Sequence, residues 1–216
     1  MKAVHILALA SVVVLSQESV LFSGVAAHSW LDCSNTISST QCSGYGTGYP
    51  TRANPDINTL YTYLISGRQN NTPVCQPGRQ DNFDVNQALP PASVKAGQTL
   101  TLTWEANGHL DDPQHQIVSG AAQAPSQVEI YWNGRPNTLL TDRGDTVGNG
   151  QMLLAKMNFA TPANCEDPQN PNTVCHGEVK IPKGTLPGMY QLVWWWQFDK
   201  NPVGEEYSTC FLVNVD

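Results

Sequence analysis

The later part of the chain alternates apolar and polar residues in short runs, and this period of two limits its fold more than any other feature. The alternation covers residues 100–105, 127–132, 178–181 and 207–215. Successive side chains of a β-strand point to opposite faces, so each run predicts a strand with one buried face. Residues 190–198 predict a further, buried strand. Short strands joined by Gly and Pro turns are typical of an all-β, immunoglobulin- or fibronectin-like antiparallel β-sandwich.

The first 27 residues have the features of a secretory signal peptide. Lys2 gives the start of the chain a positive charge. An apolar run follows over residues 6–15, and it is too short to span a bilayer as a helix. Small residues at 25–27 predict cleavage after Ala27, so that the mature chain starts at His28. Cleavage after Ser16 is the alternative. We therefore expect a secreted, extracellular protein.

One domain is expected over residues 28–216, because no repeat, low-complexity tract or linker interrupts them. Asn54-Pro55 matches a helix N-cap followed by Pro at the first helical position. Apolar residues follow at helical spacing: Ile57, Leu60 and Leu64. They predict a short helix near 55–66. Asn133-Gly134 follows a predicted strand and is typical of a tight hairpin turn.

The net charge is −7, from 11 Lys and Arg against 18 Asp and Glu, and no basic cluster occurs. Nucleic-acid-binding proteins usually carry a basic patch, so we expect no nucleic-acid partner. No other apolar stretch reaches the roughly 20 residues of a spanning helix, so we expect no membrane partner. The H-E-x-x-H, G-x-S-x-G and Gly-rich phosphate motifs are also missing, which disfavours the functions they mark. We expect a monomer.

All six cysteines lie after residue 27, and an even number in a secreted chain predicts three disulfides. Many pairings are open to six cysteines. Sequence separation favours Cys33–Cys42, Cys165–Cys175 and, as the remaining pair, Cys75–Cys210. Zinc binding is the weaker alternative, because no closely spaced cysteine pair occurs. Asn70 lies in the one glycosylation sequon.

A histidine at a mature N-terminus offers two nitrogen ligands, its imidazole and its α-amine. The α-amine has a pKa of about 7.7–8, so a metal displaces its proton near neutral pH. One further imidazole would complete a planar three-nitrogen site, which suits Cu(II). His109 is the favoured partner of His28, because it follows a well-patterned strand in a short loop. His115 and His176 are the alternatives, and a third is that His28 only marks the cleavage site.

Tyr207 lies three residues before Cys210 in the last predicted strand, so the two side chains are expected on opposite faces of the sheet. An ordinary core tyrosine is the alternative to a functional one. Glu205 precedes Tyr207 by two residues, and its alternative is a solvated acid beside Glu206.

Together, His28, the segment 104–109 and the pattern Glu205-x-Tyr207-x-x-Cys210 resemble the lytic polysaccharide monooxygenases, which are secreted copper enzymes with a β-sandwich fold. The resemblance implies one copper ion, held by His28 and His109 with Tyr207 in an axial position. It gives His28, His109, Tyr207 and Glu205 catalytic roles, with Glu205 orienting or protonating bound oxygen. An external reductant and O₂ or H₂O₂ are the implied co-reactants, and the glycosidic bond is cleaved oxidatively.

The mature N-terminal segment 28–33 and the Gly- and Tyr-containing loop after it are similar to the pectin-active group from oomycetes. Four candidate substrate contacts lie nearby in sequence: Trp30, Tyr45, Tyr49 and Arg52. Aromatic rings pack on sugar faces, and Arg binds carboxylates such as those of pectin. Burial of Trp30 is the alternative for that residue. Cellulose or chitin are the alternative substrates, because pectate is anionic like the protein. At least two of the three tryptophans at 194–196 are expected in the core.

Two further functions stay open. One is a copper-binding protein with the same ligands but no polysaccharide oxidation, which would serve metal uptake or buffering. The other is a carbohydrate-binding sandwich in which His28 has no role. Production of H₂O₂ and oxidised oligosaccharides distinguishes the enzyme from the first. Copper binding that tolerates an added N-terminal residue identifies the second.

Overall fold

A computed structural model of the chain describes residues 28–38, 41–66, 69–109, 126–167, 169–170, 172–198 and 205–216. Eleven strands are formed within these residues. In chain order they are β1 Leu31–Cys33, β2 Thr36–Ser38, β3 Gln41–Cys42, β4 Tyr63–Ser66, β5 Ala92–Val94, β6 Thr99–Glu105, β7 Gln127–Trp132, β8 Leu153–Asn158, β9 Val174–Lys180, β10 Gly188–Phe198 and β11 Glu205–Val215. The helical turns of the described part are a 3₁₀ turn, Pro55–Asn58, and an α-helical turn, α1, Arg143–Thr146.

The larger sheet has the strand order β4-β11-β10-β7-β8, and β5 pairs in parallel with the far end of β11. Its centre is the antiparallel ladder between β10 and β11, which runs from Gly188 opposite Val215 to Phe198 opposite Glu205. The smaller sheet has the order β1-β6-β9, and β2 and β3 form a separate hairpin. All pairings within these sheets except that of β5 are antiparallel.

One hydrophobic core fills the space between the two sheets. From the smaller sheet, β6 contributes Leu100, Leu102 and Trp104, all fully buried. From the larger sheet, β11 contributes alternate residues to the same core: Tyr207, Phe211, Val213 and Val215. The period-two pattern therefore arises because each strand lies against this core on one face. The predicted antiparallel β-sandwich is confirmed.

A second apolar layer covers the outer face of the larger sheet. Val193 and Trp195 on β10 and Cys210 on β11 pack there against Val74 and Leu140 from the loops. Tyr207 and Cys210 thus face opposite sides of the sheet, as their spacing predicts. The tryptophans at 194–196 are all buried, two in the core between the sheets and Trp195 on the outer side.

Three disulfides join the cysteines in the pairing that sequence separation suggested: Cys33–Cys42, Cys75–Cys210 and Cys165–Cys175. Two of them close local loops. The third ties the long N-terminal loop region to the last strand over a sequence separation of 135 residues. Closing so long a loop restricts the unfolded chain strongly in the chain-entropy account of disulfides.

Two local predictions are wrong. The predicted helix near 55–66 is a single 3₁₀ turn over Pro55–Asn58, after which the chain forms β4 at the edge of the sheet. Its start is correct, since the Asn54 side chain accepts a hydrogen bond from the Asp56 N–H. The helix does not continue, because residues 63–66 pair with β11 as a strand although the apolar residues within 57–64 have helical spacing. Asn133-Gly134 does not close a tight hairpin, because β8, the next strand along the chain to pair with β7, begins only at Leu153.

No helix in the described part of the chain is long and apolar enough to cross a lipid bilayer.

A buried ion pair joins α1 to β11. Arg143 donates to both carboxylate oxygens of Glu206, from Nε at 2.5 Å and from the terminal nitrogen Nη2 at 2.6 Å. The Glu206 side chain is fully buried and that of Arg143 is 15% exposed. The Trp195 indole N–H also donates to Glu206 at 3.2 Å. Glu206 therefore has a structural role on the outer face of the sheet.

Replacing Arg143 by Met should destabilise the fold by about 3–5 kcal/mol, because it leaves a buried carboxylate without its cation. The double variant R143M/E206L should recover most of this loss, since it removes both charges. Urea unfolding measures both effects. The matched control is R135M, at an exposed arginine, which should change stability by about 0.5 kcal/mol or less. A loss below about 1 kcal/mol in R143M would show that the pair behaves like a surface salt bridge.

Candidate functional site

His28 is held beside the end of β6 by contacts of its own carbonyl and of the residues that follow it. Ser29 donates its hydroxyl to the Glu105 carbonyl at 2.8 Å, and Leu31 pairs with Trp104. The Asn107 side-chain amide donates to the His28 carbonyl at 2.6 Å. The segment that starts with His28 therefore runs antiparallel to β6 and reaches the loop in which β6 ends.

His109 lies at the end of a tight turn directly after β6. Its N–H donates to the Ala106 carbonyl at 2.9 Å, and the two residues between them have positive φ angles, 46° at Asn107 and 84° at Gly108. Positive φ at both central positions defines a type I′ turn, for which Asn-Gly is the favoured dipeptide. The dipeptide Asn107-Gly108 is thus a sequence signal for this turn, whereas the same dipeptide at 133–134 does not close a hairpin.

Both histidine rings lie against one layer of aromatic side chains. Trp196 and Tyr207 are cross-strand neighbours on β10 and β11, and their rings stack with centroids 5.4 Å apart. The His28 ring is 6.0 Å from the ring of Tyr207. The His109 ring is 5.7 Å from that of Trp196 and 5.1 Å from that of Phe198. The two histidines favoured by the sequence are thus brought to the same end of the sandwich.

Tyr207 donates its hydroxyl to a carboxylate oxygen of Glu205 at 2.9 Å. The tyrosine is 1% exposed, and Glu205 is half-buried. Burial is the main cause that raises the pKa of Tyr207, and the hydrogen bond and charge of Glu205 raise it further. Tyr207 is therefore a neutral hydrogen-bond donor over the physiological pH range. Its burial also fits the alternative reading of an ordinary core tyrosine.

Among the described residues, no three His, Cys, Asp or Glu side chains form a group that could hold a metal ion. A site made of two histidines and a main-chain amine needs only two such side chains. The donor set of His28 and His109 fits this second kind of site, because imidazole and amine nitrogens suit copper.

Trp30 and Tyr49 are buried, at 2% and 9% exposed, so little of either ring is open to a sugar chain. For Trp30 this agrees with the alternative of burial. Both donate to the same carboxylate oxygen of Asp32, Trp30 at 2.8 Å and Tyr49 at 2.9 Å. Burial and the charge of Asp32 raise the pKa of Tyr49 above its ordinary range. These two aromatic residues are therefore part of the scaffold around Asp32, a residue that the sequence did not indicate.

Arg52 is 43% exposed and pairs with Asp32, and its second nitrogen lies 3.5 Å from a carboxylate oxygen of Glu105. Burial lowers the pKa of Arg52, but the charge of Asp32 and the hydrogen bond to it raise the pKa above its ordinary value. The pKa of Glu105 is raised chiefly by burial, against the effect of Arg52. Arg52 therefore offers its remaining N–H groups to a ligand, but its charge is balanced by two carboxylates.

Tyr45 and Arg52 line a cleft of about 270 Å³. The cleft lies between the β2–β3 hairpin and the outer face of β6 and β9, and polar residues such as Thr103 and Gln41 contribute to its wall. Tyr45 is half-buried and stacks on Tyr49 with ring centroids 5.5 Å apart. Tyr45 and Arg52 are the more exposed of the four candidate substrate contacts, and Tyr49 adds a small exposed part of its ring to the same cleft.

The other candidate residues are scattered. His176 is exposed on β9 opposite Thr103, and His115 lies outside the described residues, as do the signal peptide and its cleavage site. Asn70 is exposed, and its side-chain oxygen accepts a hydrogen bond from Arg143 at 3.0 Å.

The chain belongs to the family described as "Domain of unknown function (DUF7492)", whose model matches residues 25–141. No curated protein matches the chain in sequence. The family description assigns no activity, so function has to be argued from the site.

Several solved structures are similar in fold. An AA10 lytic polysaccharide monooxygenase from Streptomyces lividans is 15% identical with a TM-score of 0.42, and the match covers 72% of this chain and 82% of that one. A cellulose-active polysaccharide monooxygenase from M. thermophila is 13% identical with a TM-score of 0.42, covering 88% and 76%. A chitin binding domain from Burkholderia pseudomallei is 11% identical with a TM-score of 0.38, covering 74% and 87%. Likeness at this level does not establish a shared activity.

The fold should lose stability as the pH rises above about 10. Burial is the largest cause that raises the pKa of six tyrosines: Tyr49, Tyr61, Tyr63, Tyr131, Tyr190 and Tyr207. Above about pH 10 these groups ionise in the unfolded chain but stay protonated in the fold, so their stabilising contribution is complete below that pH and falls above it.

Urea unfolding between about pH 8 and 11 measures this loss, and absorbance at 295 nm reports tyrosinate directly. We expect less tyrosinate in the native than in the urea-unfolded protein at the same pH. Equal titration of the two states, with constant stability, would contradict the burial of these hydroxyl groups.

Proposed function

We propose that the mature protein is a secreted, copper-dependent polysaccharide monooxygenase whose metal ligands are His28 and His109. The observation that supports this most is the common aromatic layer, on which His28 contacts Tyr207, His109 contacts Trp196, and Trp196 stacks on Tyr207. The two imidazoles come from positions 81 residues apart in the sequence, and each contacts one ring of the stacked pair.

Three nitrogens would hold one copper ion: the imidazole and α-amine of His28 and the imidazole of His109. This ligand set requires signal cleavage after Ala27, because only then does His28 carry a free α-amine. When bound, copper would supply the one-electron redox chemistry that uses an external reductant and O₂ or H₂O₂ to oxidise a carbon of the glycosidic link.

The surrounding residues have separate tasks in this proposal. Tyr207, as a buried neutral phenol beside the His28 ring, would close the inner side of the site to water and would be the candidate oxygen contact to the metal. Its hydroxyl proton is held by Glu205, over 2.9 Å. Glu205 is thereby fixed at the edge of the site, where a carboxyl group can accept or deliver a proton within hydrogen-bond reach.

We propose a cell-wall polysaccharide as substrate, with pectin or homogalacturonan first and cellulose and chitin as the alternatives. Tyr45 offers an aromatic face and Arg52 offers N–H donors in the cleft beside β6. Because Asp32 and Glu105 balance the charge of Arg52, the cleft binds through hydrogen bonds and ring packing more than through net charge. Galacturonan samples of low and high methyl esterification should therefore both be assayed.

Retention of a single residue before His28 should weaken copper binding by more than about 100-fold, because the α-amine becomes an amide. Losing even a partner of a metal ligand costs about 10–100-fold in affinity, and this change removes a ligand itself. Copper affinity is measured by competition with a chelator, on the protein that begins at His28 and on the protein that begins at Ala27. H176A, at an exposed histidine, is the matched control and should bind copper normally.

The same two proteins, one beginning at His28 and one at Ala27, distinguish the proposed monooxygenase from the other candidate functions. Oxidised oligosaccharides formed with a reductant, from the His28-first protein alone, support the monooxygenase. Tight copper binding without oxidised products from pectin, cellulose or chitin would favour a copper-binding protein instead. Equal copper affinity in both forms would overturn the proposed ligand set.

A further inference from the structure

We propose that Asn107 is a positioning residue that holds the two copper ligands of the proposed site in a fixed relation. This inference rests on the proposed function, and it adds a residue that neither binds the metal nor touches the substrate. Asn107 is connected to His109 through the backbone of one turn and to His28 through one side-chain hydrogen bond.

The first connection is the type I′ turn from Ala106 to His109. Asn107 occupies its first central position with φ 46°, a left-handed conformation that Asn adopts more readily than most residues. Gly108 occupies the second with φ 84°. The turn is closed by the 2.9 Å hydrogen bond from the His109 N–H to the Ala106 carbonyl. Asn107 thus helps to set the direction in which the His109 side chain leaves the end of β6.

The second connection is the 2.6 Å hydrogen bond from the Asn107 side-chain amide to the His28 carbonyl. After signal cleavage His28 would be the chain terminus, and termini are poorly ordered unless they are tied down. β1 begins only at Leu31, so the ladder with β6 does not include His28 itself. The Asn107 amide therefore holds the terminal residue by its own carbonyl group.

The two connections demand different properties of one side chain. The turn needs a residue that tolerates positive φ, which Asn, Asp and Gly do. The hydrogen bond to a carbonyl needs a donor, which the Asn amide supplies and an Asp carboxylate or a Gly hydrogen does not. Asn alone among these three residues meets both demands. A preorganised pair of ligands binds its metal without paying to order the chain terminus first.

The test replaces Asn107 by Gly, which keeps the turn and removes the donor. The matched control is N137G, because Asn137 also has a positive φ, 54°, and is exposed on another loop. In N107G we expect copper affinity to fall about 10–100-fold, the usual effect of losing a partner of a metal ligand. The Cu(II) EPR spectrum of N107G should broaden or shift, because the ligands are no longer held in one arrangement. A merely structural role of Asn107 would leave the spectrum unchanged. N137G should match the parent in both measurements.

A metal-free measurement keeps this inference separate from the proposed function. Backbone NMR order parameters of residues 28–30 should fall in metal-free N107G and not in N137G. If the parent protein binds no copper through His28, the proposed function fails, and these order parameters still decide whether Asn107 orders the terminus. Unchanged order parameters in N107G would overturn the inference. If the parent binds copper, an N107G variant with the same copper affinity and EPR spectrum as the parent would also overturn it.

Discussion

The antiparallel pairing of β1 with β6 is the constraint on which the candidate site depends. A strand of three residues, Leu31–Cys33, would be marginal alone, but it lies beside the central strand of the smaller sheet and its first residue is fully buried. This pairing brings the segment that starts at His28 to the end of β6, where the turn to His109 begins. The disulfide Cys33–Cys42 fixes the other end of β1. One short ladder thus helps to bring the two proposed ligands, which are distant in sequence, to the same end of the sandwich.

The core and the site share an aromatic layer. Trp196 is fully buried and stacks both on Phe159, at 3.9 Å between centroids, and on Tyr207, at 5.4 Å. The aromatic rings that stabilise the sandwich therefore also form the surface that the two histidine rings contact. These rings lie on two adjacent long strands, and sites supported by strands hold a ligand geometry more precisely than sites on loops. The same burial that stabilises the fold also raises the pKa of the Tyr207 hydroxyl.

The sequence predicted the long strands well, because the alternation that marks them is local and the core imposes it directly. The opposite facing of Tyr207 and Cys210 followed from the same rule. The prediction of a helix near 55–66 failed because pairing with β11, a strand distant in sequence, decides the structure of 63–66. Burial of Trp30 was one of two possibilities that the sequence left open. The role of its partner Asp32 could not be predicted, because Tyr49 and Arg52, which also contact Asp32, come from elsewhere in the chain. The Asn107-Gly108 turn was predictable from its dipeptide, but the hydrogen bond from Asn107 to His28 is visible only in the folded chain.

The central claim is that one copper ion is bound by three nitrogens that all belong to histidine residues. EPR of the mature protein with one equivalent of Cu(II) tests it, in a nitrogen-free buffer and with only histidine labelled by ¹⁵N. The label reaches the imidazoles of His28 and His109 and also the α-amine of His28. The account predicts three directly bound nitrogens, with every ¹⁴N splitting replaced by its ¹⁵N counterpart. A directly bound ¹⁴N, or a spectrum with fewer than three bound nitrogens, would contradict it.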